Sequence, residues 1–109
     1  MSTRATIQFK GRDEVYFIYK HSDGYPEGVL PELDKLMSID GIGSQDMALI
    51  ATRFLINSNL DSLKNSSLCF ELTSCEHGDE SYRYLVYQEY DVLSNGKKKP
   101  NLKYRVEVI

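Results

Sequence analysis

Tyr19-Lys20-His21-Ser22-Asp23-Gly24-Tyr25-Pro26-Glu27-Gly28 joins an apolar, strand-like run to a helix-like one, and its reading decides the fold. Asp23-Gly24 is a turn dipeptide, because glycine accepts positive φ without a Cβ clash. Pro26 fixes its own φ and pushes Tyr25 towards extended geometry. Gly28 lets the chain bend again before the next element. The stretch therefore predicts a loop of one shape that ends a strand and leads into a helix. It also carries groups that a plain connection does not need. His21 titrates near neutral pH and can move a proton or hold a hydrogen bond. Asp23 can orient its ring, with Tyr25 and Glu27 displayed beside it. Tyr19, His21, Asp23, Tyr25 and Glu27 are the candidate ligand-binding residues. The structural alternative has Asp23 capping the turn and Tyr25 lying as a lid on the core.

Upstream, residues 3–10 predict a strand in which Ala5, Ile7 and Phe9 alternate with a wet face of Arg4, Thr6, Gln8 and Lys10. Residues 15–20 predict a second strand. Val15, Phe17 and Tyr19 lie on one face, and Tyr16 and Ile18 on the other. Two apolar faces imply a central strand. The four residues Gly11-Arg12-Asp13-Glu14 between them fit an antiparallel hairpin.

Downstream, residues 29–37 predict a short helix, with Pro31 in its first turn and Leu33, Leu36 and Met37 on one face. Asp40-Gly41-Ile42-Gly43 breaks it. Without a following lysine, a flexible connection is favoured there over a phosphate-cradling turn. Ser44 predicts the N-cap of a longer helix to Asn57, whose Met47, Ile50, Ala51, Phe54 and Leu55 form one stripe, with Arg53 solvated. Residues 60–67 connect onward, with Leu60 and Leu63 packing beneath. The last third predicts three strands: Leu68–Thr73, Tyr82–Tyr90 and Leu102–Val108, with Asn95-Gly96 as a hairpin turn. Lys97, Lys98 and Lys99 beside it predict a solvated tip that discourages edge pairing, in preference to a phosphate-contacting patch.

The expected fold is α+β: one domain over residues 1–109, a five-stranded mainly antiparallel sheet, element order ββααβββ, and two helices on one face. The opposite face, carrying Tyr16 and Ile18, would be a homodimer surface. A chain of 109 residues, 41% hydrophobic and 27% charged, has room for a modest core. A net charge of −3 argues against a general nucleic-acid binder, which needs a basic face. With no apolar run of membrane length and no signal peptide, the expectation is a cytosolic protein with reduced thiols and no membrane partner.

One resemblance can be stated. The opening Met1-Ser2-Thr3-Arg4-Ala5-Thr6-Ile7, followed by the Tyr19–Gly28 stretch, resembles a group of small proteins encoded by bacteriophages and prophages. Those open with a Ser/Gly-Thr-Arg strand and carry a Tyr-x-His-x-Asp-Gly-Tyr signature. The match covers roughly the first thirty residues. It implies a viral setting in a host bacterial cytosol, and implies nothing about catalysis.

Chemistry-bearing residues other than the loop are sparse. His21, Asp23, Cys75 and His77 are metal-ligand types, but paired zinc spacings are missing, so no metal or other cofactor is expected. Cys69, in a strand, reads as a small core residue. The eight tyrosines mostly read as fillers of a half-wet sheet. The favoured function is a non-catalytic accessory protein that binds a host component, an anti-defence factor acting by protein–protein inhibition. One alternative is a small-molecule binder or sponge, for a nucleotide signal, using the His21–Gly28 loop. The other is a small hydrolase with His21 and Asp23 or Glu27 as acid and base.

The loop reading expects His21, Asp23 and Tyr25 to converge on one accessible pocket, with Glu27 at its rim. His21→Ala should then remove function while changing stability by only about 0.5 kcal/mol. Gly24→Val should damage folding, if Gly24 sits at positive φ. Thermal melts of both variants check this; a core-sized loss for His21→Ala contradicts the binding role.

Overall fold

A computed structural model describes residues 3–64 and 68–109. Met1 and Ser2 of the phage-like opening, and residues 65–67 of the connection before the last three strands, lie outside the described residues. The chain order is β1 (Ala5–Lys10), β2 (Val15–Lys20), α1 (Pro26–Met37), a 3-10 turn (Ile42–Ser44), α2 (Met47–Ser58), a second 3-10 turn (Leu60–Ser62), β3 (Phe70–Thr73), β4 (Tyr82–Val92) and β5 (Lys98–Val108). The α+β class and the ββααβββ order hold.

The sheet is mixed, not mainly antiparallel. Its order is β3-β2-β1-β4-β5, and β4 lies parallel to β1. The last three strands therefore do not form a meander. β3 adds outside β2, pairing Ile18 with Leu72 and Lys20 with Phe70, so the chain must cross the sheet before β4 can begin beside β1. Sequence alternation gives the faces of each strand and leaves the choice of neighbour open.

α1 and α2 pack on the same face. The core between them and the sheet holds Ala5, Ile7 and Phe9 of β1, Ile18 of β2, Phe70 of β3, Tyr84 and Val86 of β4, and Leu102 of β5. Val29, Leu33 and Leu36 of α1 and Met47, Ile50, Ala51 and Phe54 of α2 close it. Phe54 is central to the aromatic packing, with ring centroids 5.4 Å from Phe9 and 5.2 Å from Phe70. Tyr104 ties α1 to β5 by donating to Asp34 at 2.9 Å.

β2 turns its faces opposite to expectation. Ile18 is fully buried under the helices and Tyr16 packs against the same core, so neither forms an outer surface for a dimer. Register explains it: Ile18 lies opposite Ile7 and Tyr16 opposite Phe9, and cross-strand partners share a face.

The signature loop starts the helix earlier than expected. Pro26, not Pro31, occupies the first helical turn, following Tyr25 in extended geometry, and Pro31 is carried inside the helix. Gly24 is not at positive φ; Asp23 is, at 55°. Gly24 is needed for space. A Cβ there would stand 2.8 Å from Ala5 Cβ and 2.9 Å from the Ala5 nitrogen. Its N–H donates to Thr3 and its carbonyl accepts from the buried Tyr84 hydroxyl at 2.7 Å. Gly28, inside the first turn of α1, lets the Asp23 carbonyl approach where a Cβ would sit 2.1 Å away. Gly24→Val therefore still damages folding, by overpacking.

The connection after α2 also corrects expectation. Leu60 and Leu63 are exposed, while Asn59 and Ser62 are buried. Asn59 explains this: its side-chain amide donates to the Phe70 carbonyl and its side-chain carbonyl accepts from the Phe70 N–H, both at 2.9 Å. The Phe70 backbone is thus paired at the start of an edge strand. Cys69, just before it, is exposed and is not a core residue. Asn59→Ala would leave two buried backbone groups unpaired and should cost about 2–4 kcal/mol in urea unfolding, against at most about 0.5 kcal/mol for Leu60→Ala. Equal effects would show that the clamp contributes nothing.

Candidate functional site

β3 and β4 run in the same direction, so residues 74–81 must return across the sheet to reach the start of β4. They do so over the face that the helices leave open. That face was expected to be wet; instead Thr6 is fully buried and Gln8 is half-buried beneath the crossover.

Carboxylates fasten the crossover. Glu80, itself buried, accepts from the Thr6 hydroxyl and from the backbone N–H groups of His77 at 2.8 Å and Gly78 at 2.7 Å. Burial pushes its carboxyl up, but these donors outweigh burial and hold it below the usual glutamate range. Glu76 takes a two-pronged bond from Arg83, with Nη2 at 2.8 Å, and a bond from Gln8 at 3.0 Å. The Arg83 bond is the main reason its carboxyl also lies low. Arg83 reaches Glu107 at 2.8 Å as well, and both carboxylates hold the guanidinium above its ordinary pKa. Asp79 accepts from Arg4 at 3.0 Å and from the Tyr19 hydroxyl at 2.9 Å.

Tyr19 is the hub of this network and is only 2% exposed. The His77 ring stacks on it at 3.7 Å between centroids, and the His21 ring meets it edge-on at 4.8 Å. Burial, then the bond to Asp79, push the Tyr19 hydroxyl up to about 12. His21 donates from Nε2 to Glu71 at 2.8 Å. The Thr73 hydroxyl lies 2.9 Å from His77 Nε2 and donates to the Cys75 carbonyl at 3.2 Å. With its single proton on that carbonyl, Thr73 accepts from His77.

The five candidate loop residues divide. Tyr19 and His21 join the crossover network. Tyr25 donates to Asp23 at 3.1 Å in a separate, exposed pair. That bond raises the Tyr25 pKa, ahead of the nearby Asp23 charge. Glu27 lies in the first turn of α1. No hydrogen bond links the His21 pair to the Asp23 pair among the described residues. Strand β2 does end at Lys20, so His21 leaves the sheet at its edge as the loop reading required. The described concavities line residues 37–44 with 99–101, the 10–15 turn, and the Val15–Phe17 edge; His21, Asp23 and Tyr25 line none of these. Among the described residues, no group of three or more His, Cys, Asp or Glu side chains is placed to hold a metal ion.

Sequence reasoning missed Glu76, Asp79 and Glu80. Their signal was present: three acids around Gly78 can answer Arg4, Thr6 and Arg83 on a sheet face. It could be read only once β4 was placed beside β1.

The fold is that of an α+β protein with a mixed five-stranded sheet, helices on one face and a polar crossover on the other. Comparison with known protein families, curated proteins and solved structures found no match.

A carboxyl whose folded pKa lies below its unfolded one adds stability that is full above the unfolded pKa and vanishes as pH falls through the folded one. Glu80 is such a group. Glu80→Gln should lower the melting temperature at pH 7, because an amide nitrogen would face donors. The gap to wild type should narrow as pH falls through and below the ordinary glutamate range. A gap that does not change with pH contradicts the charged-acceptor role.

Proposed function

We propose that this is a non-catalytic accessory protein from a phage or prophage that binds a host protein in the bacterial cytosol and inhibits it. The observation that carries the reading is the arm formed by β4 and β5. β1 pairs with β4 only from Tyr82 to Tyr87, while the β4–β5 ladder continues to Val92 and Lys98. Five residues of each strand thus project past β1, about 16 Å of two-stranded ribbon.

The arm differs from the expected tip. Lys98 and Lys99 lie in β5, and residues 93–97 close the hairpin, with Gly96 at φ 82°. Pro100 is tolerated because β5 is an edge strand. Tyr90 is 64% exposed, Val92 70% and Leu93 43%. An apolar tip flanked by three lysines fits a partner surface with an apolar recess and an acidic rim.

The tyrosines of the sheet give less support as a contact surface: Tyr16, Tyr82, Tyr84 and Tyr104 pack on the helix-covered side, in or against the core. The crossover and the Arg83–Glu107 and Arg105–Glu107 pairs occupy the other face. No helix is long and apolar enough to cross a membrane among the described residues.

Capture from host lysate, with proteins and released metabolites both identified by mass spectrometry, tests the reading. Val92→Asp/Leu93→Asp should keep the wild-type melting temperature and lose the captured protein. Capture unaffected by this variant contradicts the arm. A captured metabolite lost in His21→Ala would instead favour the small-molecule reading of the His21–Gly28 loop.

A further inference from the structure

Where the arm leaves the sheet, β4 loses its neighbour on one side. β1 ends at Lys10, opposite Tyr87, and the chain turns away through Gly11 and Arg12, closed by a 2.8 Å bond from the Gly11 N–H to the Glu14 carbonyl. The corner left behind is a concavity of about 410 Å³ lined by Lys10, Gly11, Arg12, Tyr87, Gln88 and Tyr90.

Its chemistry is one-sided. It holds two cations, two phenol rings and no carboxylate. Among the described residues, Lys10 and Arg12 form no ion pair. Glu14 and Asp46 line an adjoining hollow that shares Gly11, Arg12, Gln88 and Tyr90 with the corner, and neither lines the corner itself. Glu14 accepts from the Tyr16 hydroxyl at 2.7 Å. Glu89 pairs with Lys103 at 3.0 Å, and Asp91 accepts from Asn101 at 2.7 Å. Asp13 lines the neighbouring hollow beside Val15 and Phe17. Neither Tyr87 nor Tyr90 stacks on another aromatic ring of the described residues. The corner is also braced. Gln88 donates to the Gln45 carbonyl at 2.8 Å and lies 3.2 Å from the Gly43 carbonyl, fixing the arm root to the turn before α2.

We propose that this corner binds a mononucleotide, with its phosphate on Lys10 and Arg12 and its base on the face of Tyr87 or Tyr90. Guanidinium and ammonium groups supply charge-assisted bonds to phosphate oxygens, and a phenol face stacks on a base. The volume falls within the range of small-ligand sites. A net charge of −3 disfavours a long polyanion while leaving this local positive corner open to a small anion. The inference goes beyond the protein-binding reading and does not depend on it, since Val92 and Leu93 lie outside the corner.

Isothermal titration at low salt tests it, using AMP, GMP, CMP and UMP, with inorganic phosphate, adenosine and an oligothymidylate as comparisons. At least one mononucleotide should bind saturably at one per chain. Lys10→Gln/Arg12→Gln should weaken it at least about tenfold without lowering the melting temperature. Tyr87→Leu/Tyr90→Leu should weaken it while leaving phosphate unaffected. Phosphate and adenosine should each bind at least about tenfold more weakly than the mononucleotide. Absence of saturable binding, binding undiminished in the charge variant, phosphate binding equal to the mononucleotide, or oligothymidylate binding that mononucleotides do not displace would each overturn the proposal.

Discussion

The bond between the Glu80 carboxylate and the Thr6 hydroxyl, with the His77 and Gly78 amides on the same carboxylate, is the contact on which the architecture depends. A parallel pair of strands needs a crossover, and crossovers are commonly helical. Here both helices precede β3, and the crossover is a loop of residues 74–81. A loop laid on a sheet face buries backbone donors, and each must find an acceptor. Glu80 supplies one for two of them. In turn those donors and Thr6 supply the hydrogen bonds without which a buried carboxylate would be costly.

From this constraint the two faces of the sheet acquire different chemistry. The helical face is closed by apolar side chains around Phe9, Phe54 and Phe70. The crossover face is closed by ion pairs and by the Tyr19 ring held between His21 and His77. Groups that look catalytic in the sequence are therefore engaged with one another. The segments with unspent bonding capacity lie elsewhere, on the arm and at its root, where β4 and β5 outrun β1. A ribbon paired on one side only cannot bury both faces, and Tyr90 and Val92 remain exposed in consequence.

The sequence made the elements legible where periodicity was strong. β2 was read at its observed ends, and the α2 stripe from Met47 to Phe54 is buried as its spacing requires. The hairpins around Gly11 and Gly96 followed from turn chemistry. What local pattern could not carry was the order of strands. β3 is a short alternating run, and nothing local places it outside β2 rather than beside β4. The parallel β1–β4 pair, the buried Thr6 and the arm follow from that order, whereas the reversed faces of β2 follow from its register with β1. The loop from His21 to Gly28 was legible as a fixed shape. Its glycine was assigned to the wrong cause, because a close approach of Gly24 to Ala5 involves residues nearly twenty positions away. Of the candidate loop residues, Tyr19 and His21 were brought into a network whose other members are Arg4, Thr6 and Gln8 at the start of the chain and residues beyond 70.

Amide hydrogen exchange at His77 and Gly78 tests the central role of the crossover most directly. Both N–H groups belong to a loop, yet both donate to a buried carboxylate. Their exchange at neutral pH should be slowed to the same degree as that of the β1 amides, opening only with the sheet. Exchange at the rate of an unstructured chain, with β1 protected, would show that the crossover is a free loop and that the sheet stands without it.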